Sequence, residues 1–232
     1  MIYNNHISEI NNWQFLKKIK NSNKIPHSML FYGNDGIGKE LAAIEFAGYI
    51  NCKNPINDFA CKTCVSCNKL INNNHEYMDY ILPLPKGKIT SKKDDINKSF
   101  TEKTLIEYNH ELKTKLSNPF HEINISGANT ILINSIRSLK KRLYRTIEDD
   151  SYRVIILFQS EKLCHPNNEA ANSLLKILEE PPDKSIFILV TSKPNLLLDT
   201  IKSRCIEIYF PNPSAQVFDD YNDLAEHTNI DL

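Results

Sequence analysis

The chain has 232 residues, with 41% hydrophobic and 24% charged side chains, and its 28 basic residues balance 28 acidic ones. That composition fits an ordinary globular protein with a sizeable core. It excludes a free-standing nucleic-acid binder driven by bulk charge, so any contact with DNA must be local or made within a complex. The opening MIYNNHISEINNW lacks the apolar stretch of a secretory leader. No apolar run approaches the ~20 residues needed to cross a bilayer. The expected location is the cytoplasm, with no membrane contact. Thiols stay reduced there, so clustered cysteines point to metal rather than disulfides.

In chain order, SMLFY at 28–32 reads as a short buried strand. A glycine-containing turn follows, then a helix from Lys39 to Ile50, with Leu41, Ile44 and Ala47 at helical spacing. A cysteine cluster occupies 52–67, and DYILP at 79–83 suggests another strand. From 86 to 124 the chain turns polar and charged, which predicts a surface insertion with one helix near EYNHELKTKL. Leu132, Ile136, Leu139 and Leu143 then form an apolar stripe, with Arg137, Lys140, Lys141 and Arg145 off it. Such a basic face is usually just solvated and is only a weak sign of DNA.

RVIILF at 153–158 is an uninterrupted apolar run, which fits a central parallel strand. Pro166 and Asn167 open a helix that carries Ala171, Leu174, Leu175 and Leu178 on one face and stops at Pro181–Pro182. SIFILV at 185–190 and IEIYF at 206–210 are the remaining strands. Strands alternating with helices predict an α/β fold, a parallel sheet flanked by helices.

Gly33-Asn34-Asp35-Gly36-Ile37-Gly38-Lys39 fits G-x-x-x-x-G-K between a strand and a helix. Such a loop curls its N–H groups around a phosphate at a helix N-terminus, and Lys39 would reach the outer phosphates. A working loop places Ser or Thr next, to hold magnesium. Here Glu40 stands there, adding a carboxylate where a neutral ligand is needed. The end of the 153–158 strand should carry Asp-Glu for metal and water, and has Phe158 and Gln159 instead. Neither can hold a metal or act as a base. Glu161 is acidic but stands later in the chain. ATP and Mg²⁺ binding is therefore doubtful.

Cys52, Cys61, Cys64 and Cys67 are spaced C-x8-C-x2-C-x2-C. Four thiolates can close a tetrahedral Zn²⁺ site with no open position, which makes the metal structural. A redox dithiol is the weaker alternative, because it needs one exposed pair. Cys164 and Cys205 stand alone and are expected to be buried rather than ligands.

The phosphate loop followed by this cysteine spacing resembles the bacterial clamp-loader subunits of DNA polymerase III, the gamma/tau and delta-prime group of AAA+ proteins. EAANSLLKILEEPPDKSIFILVTSKPNLLLDTIKSRC, Glu169 to Cys205, is similar to the AAN-x-LLK-x-LEEPP block, strand and T-I-x-SRC of that family. HSMLFYG at 27–33 and His75 also match family positions. The resemblance runs to about Pro213, except for 86–124. It implies an AAA+ P-loop domain over 1–213 with an inserted zinc module. Residues 214–232 would be a polar tail or the start of a truncated lid, with helical lid and collar absent.

The departures at Glu40, Phe158 and Gln159 resemble delta prime, the rigid stator that does not hydrolyse ATP. The resemblance makes Arg204 an arginine finger acting in trans on a neighbour's ATP, and Thr191 a sensor residue. It also implies a hetero-pentamer with gamma/tau and delta, and loading of the sliding clamp onto primed DNA. Two other functions stay open: a hydrolysing gamma/tau-like motor, and a zinc-dependent DNA-binding module unrelated to ATPases.

Overall fold

The computed structural model describes residues 12–22, 24–118, 120–144, 147 and 150–212. Arg145, Pro213 and the expected tail 214–232 lie outside the described residues. In chain order the elements are α1 (Trp13–Asn21), β1 (Ser28–Tyr32), α2 (Lys39–Asn51), α3 (Val65–Ile71), β2 (Met78–Ile81), α4 (Glu102–Ser117) and α5 (Ile133–Leu143). Then come β3 (Arg153–Leu157), α6 (Glu169–Glu179), β4 (Ser185–Thr191), α7 (Asp199–Lys202) and β5 (Ile206–Tyr209).

The five strands form one parallel sheet in the order β2-β3-β4-β1-β5. This is the α/β architecture that the alternation of strands and helices predicted. β3 and β4 are buried along their whole length, and β1 along all but its last residue, because both faces are covered by helices. The pleat sorts their side chains into two cores. Met29, Phe31, Val154, Ile156, Ile186 and Ile188 face α1, α2 and the cysteine segment. Leu30, Ile155, Leu157, Phe187 and Leu189 face α5, α6 and α7.

Helix boundaries follow the apolar periodicity. Helix α5 buries Ile136, Leu139 and Leu143, three members of the predicted stripe. Helix α6 starts at Glu169, and the Asn167 side chain accepts from its amide at 3.2 Å. Helix α1 drew no expectation from the sequence. It buries Trp13, Leu16 and Ile19, one residue per turn, with Trp13 stacked on Phe59 of the cysteine segment at 5.0 Å.

The 86–124 segment, expected as a polar surface insertion, is partly a packed element. Helix α4 is longer than the predicted one, and the side chain of Thr101 caps it by accepting from the Thr104 amide. Leu112 and Leu116 join the main core, as do Ile123 and Ile125 beyond the helix. The polar residues of the segment hide this, because the apolar ones come only once per turn.

Candidate functional site

The glycine loop at 33–39, expected from its sequence to be a phosphate loop, leaves the C-terminal end of β1, the edge of a parallel sheet where ligands bind in open α/β folds. Gly33 has φ +149° and lies so close to β5 that a Cβ would sit 2.3 Å from the Phe210 carbonyl oxygen. Gly36 and Gly38 have φ of +75° and +84°, with Gly38 capping α2. The spacing thus gives a tight left-handed turn that only glycine makes without strain.

Lys39 is buried and its ammonium donates to the carbonyl oxygen of Asn34, within the loop itself. Burial lowers its pKa, and the carboxylates of Asp35, Glu40 and Glu161 oppose that shift. Glu40 lies in the first turn of α2 and forms an ion pair with Lys115 of α4. The Lys115 side chain is only 2% exposed. It also donates to the His121 carbonyl oxygen at 2.7 Å. Glu111, one turn earlier on α4, meets the His121 ring at 2.8 Å and accepts from the Asn124 amide at 2.7 Å. The second half of the 86–124 segment is therefore organised around the lysine that closes on the phosphate loop.

Lys39, Glu40, Lys115 and His121 wall a cleft of about 210 Å³ with Gln159, Glu161 and Thr191 opposite. Phe158 is buried and stacks on Tyr80. Gln159 turns left-handed, with φ +50°, and donates to the Ile123 carbonyl oxygen at 3.3 Å. The 3₁₀ turn Ser160–Cys164 carries Glu161 back over the end of β4. There Thr191 Oγ1 donates to its carboxylate at 2.6 Å and accepts from the Lys193 amide at 2.9 Å. Gly33, Gly36, Gly38, Lys39, Glu40 and Thr191 are thus gathered at one end of the sheet. Lys115 and His121 belong to the same site and were missed, because nothing in a polar segment marks which lysine turns inward.

Arg204 lies elsewhere. Its carbonyl oxygen accepts from Ser28 Oγ at the start of β1, so it sits at the N-terminal edge of the sheet. The five residues of β1 separate it from its own phosphate loop, about 16 Å at the rise of a strand. Its guanidinium is bound by Glu179 at 2.7 Å and by the Thr200 carbonyl oxygen at 2.8 Å. The LEEPP and SRC blocks, 25 residues apart in sequence, are joined by this pair.

The ligand atoms of Cys52, Cys61, Cys64 and Cys67 lie within 4.8 Å of one another, with 3.9 Å between the sulfurs of Cys61 and Cys67. Four sulfurs at about 2.3 Å from a tetrahedral zinc are about 3.8 Å apart, so the cluster fits that ion. The Cys61 amide donates to the Cys52 sulfur and the Cys64 amide to the Cys61 sulfur, at 3.2 and 3.3 Å. Burial opposes ionisation of Cys61, but hydrogen bonds from Thr63 and from the Cys64 and Thr63 amides bring it down to about 6. His75 is outside the cluster. It bonds Ser66 at 2.9 Å and accepts from the Tyr77 amide, bracing α3 against β2. Cys164 and Cys205 stand apart and are partly buried.

The family profile described as "DNA polymerase III, delta subunit" matches residues 9–214. This chain belongs to that family. Among curated relatives, the DNA polymerase III subunit delta' of Pseudomonas aeruginosa is 28% identical over 82% of this chain and 44% of its own length. That of Escherichia coli is 24% identical over 82% and 44%. The subunit tau of Bacillus subtilis is 28% identical over 83% of this chain and 26% of its own length. The chain thus spans less than half the length of these relatives. A solved structure of a gamma subunit-related protein from Thermotoga maritima aligns with a TM-score of 0.49 at 18% identity, covering 94% of this chain and 50% of that one. Within the family the chain combines a glycine turn, a four-cysteine cluster and a cleft whose charged groups bind one another. Among the described residues no helix is long and apolar enough to cross a membrane.

Proposed function

We propose that this chain is the AAA+ P-loop domain, residues 1–213, of a non-hydrolysing clamp-loader subunit of the delta-prime kind. In this reading it works in the cytoplasm, in a hetero-pentamer with gamma/tau-like and delta-like subunits. It helps them load the sliding clamp onto primed DNA.

The observation that carries the reading is the Glu40–Lys115 pair. A working phosphate loop offers a neutral hydroxyl to magnesium at this position, and magnesium demands near-octahedral oxygen ligands. Here the position presents a carboxylate that already holds a buried ammonium. Bringing in a metal–polyphosphate would have to break that pair and would set the freed carboxylate against the phosphates. Phe158 and Gln159 supply neither a metal ligand nor a base, and the nearby Glu161 is engaged by Thr191.

Arg204 supports the same reading from the opposite edge. It is too far from its own loop to act in cis, and its side chain is one-third exposed. A guanidinium delivered to a neighbour's γ-phosphate offsets charge that builds in the transition state, an effect of about 10³–10⁵ in rate. Zinc on the four cysteines would be structural, holding the segment between α2 and α3.

The purified chain is expected to hydrolyse ATP at background rate with magnesium present, measured by phosphate release. Glu40→Thr alone should not restore turnover, since the Asp-Glu pair is still missing. Magnesium-dependent turnover abolished by Lys39→Ala would replace this reading with the hydrolysing motor. The one feature that favours the motor is the Glu161 carboxylate at the cleft.

A further inference from the structure

We infer that Glu179 is a positioning residue for Arg204, orienting its guanidinium for use by a neighbouring subunit. The inference rests on the reading of Arg204 as a finger and goes beyond it. Glu179 is the last residue of α6 and the first acid of LEEPP. Its Oε1 accepts from Nη2 of Arg204 at 2.7 Å. Nη1 donates to the Thr200 carbonyl oxygen at 2.8 Å, in α7. One nitrogen is thus tied to each of two helices, which fixes the plane of the guanidinium as well as its position. Among the described residues these bonds use two of the group's five N–H donors, leaving others for an external anion.

The ion pair is poorly placed to be a stability device. The side chains of Arg204 and Glu179 are 34% and 49% exposed. Exposed pairs contribute about 0–1 kcal/mol to folding, because solvent screens them and ordering two long side chains costs entropy. Orientation is a different quantity. A freely rotating arginine must be ordered each time it meets a phosphate, and misplacing a catalytic group by about 1 Å can cost about 100-fold in rate. Glu179 and Thr200 meet that ordering cost in advance. The remaining charge is shared: the carboxylate balances the cation while it waits, and the guanidinium still has N–H groups for the phosphate.

The test uses a clamp loader reconstituted with the full subunit, reading kcat and KM for DNA-stimulated ATP hydrolysis and the thermal midpoint of the subunit. Glu179→Ala should lower kcat at least about threefold, with KM for ATP within about twofold, since only orientation is lost. Glu179→Gln should recover half or more of that loss, because its amide oxygen still accepts from Nη2. In an Arg204→Ala background, Glu179→Ala should have no further effect. If Arg204→Ala itself leaves kcat unchanged, the finger reading falls and this one with it. If Arg204→Ala lowers kcat but Glu179→Ala does not, the finger stands and the positioning role is overturned. The role is also overturned if Glu179→Gln is as poor as Glu179→Ala, or if Glu179→Ala lowers the thermal midpoint by more than about 5 °C, which would make the pair structural.

Discussion

The cysteine cluster and the phosphate-loop cleft are both places where this family of folds could hold a metal, and they have opposite electrostatics. Four thiols converge in the cluster, and the Cys61 and Cys64 amides and the Thr63 hydroxyl that donate to their sulfurs are neutral groups. Ionised together they repel, so the arrangement needs a cation from outside. In the cleft three charged groups are met from within the chain: Glu40 by Lys115, Glu161 by Thr191, Lys39 by a loop carbonyl. A metal site persists as a metal site only where its charge is left for the metal to balance.

Metal removal should therefore affect the two regions very differently, and this is the largest effect expected. Native mass spectrometry should find one zinc per chain. Binding energies of structural zinc sites are about 10–16 kcal/mol, so stripping it should unfold the segment from Cys52 to Ile71. Cys67→Ser should cut zinc affinity more than about 100-fold, since even losing a group that merely hydrogen-bonds a ligand costs about 10–100-fold. The disturbance should reach α1 through the Trp13–Phe59 stack. The chain has one tryptophan, so its emission should shift to the red on chelation. Amide exchange in β1, β3 and β4 should stay slow. A chain that folds fully without metal would break the comparison from the cluster side.

Lys115→Ala probes the cleft side, with a smaller effect. Breaking a buried pair costs about 3–5 kcal/mol, and the 27% exposure of Glu40 places this one nearer 2 kcal/mol. Urea unfolding should show that loss with an unchanged slope. Replacing both partners, Glu40→Thr with Lys115→Met, should recover most of it, because neither charge is then left alone. If the single and double variants are equally unstable, Lys115 acts through packing of α4 and not through Glu40.

Much of the fold was legible because it rests on local pattern. β1, β3, β4 and β5 follow runs of apolar residues to within one residue, and the glycine spacing located the turn. β2 and α6 start one and two residues from where the pattern placed them. The site was legible only where motif residues are adjacent. Lys115 meets Glu40 across 75 positions and several turns of chain, and no periodicity singles it out from Lys113. Glu179 and Arg204 both lie in blocks that drew notice, but their pairing depends on how α6 and α7 pack against the same face of the sheet. Glu161 looked displaced along the chain, yet a single 3₁₀ turn returns it to Thr191. Pairing of charges is a tertiary property, and composition records only that the charges exist.

The smallest expected effect is the most direct test of the cleft: adding magnesium and ATP together should leave the thermal midpoint of the chain within about 1 °C. A ligand present at about 100 times its Kd stabilises the folded state by about 2.7 kcal/mol. In a chain of this size that corresponds to a rise of about 5–10 °C. Binding of magnesium with ATP at Glu40 would have to pull Lys39 from Asn34 and Lys115 from Glu40. ATP with a chelator in place of magnesium sharpens the test. A rise with ATP and magnesium that the chelator abolishes would mean that a metal displaces Lys115 at Glu40. A rise that survives the chelator would mean that the glycine turn and Lys39 hold phosphate unaided, with Glu40 and Lys115 still paired. No rise in either case leaves Glu40 and Lys115 paired and the cleft closed to metal and nucleotide.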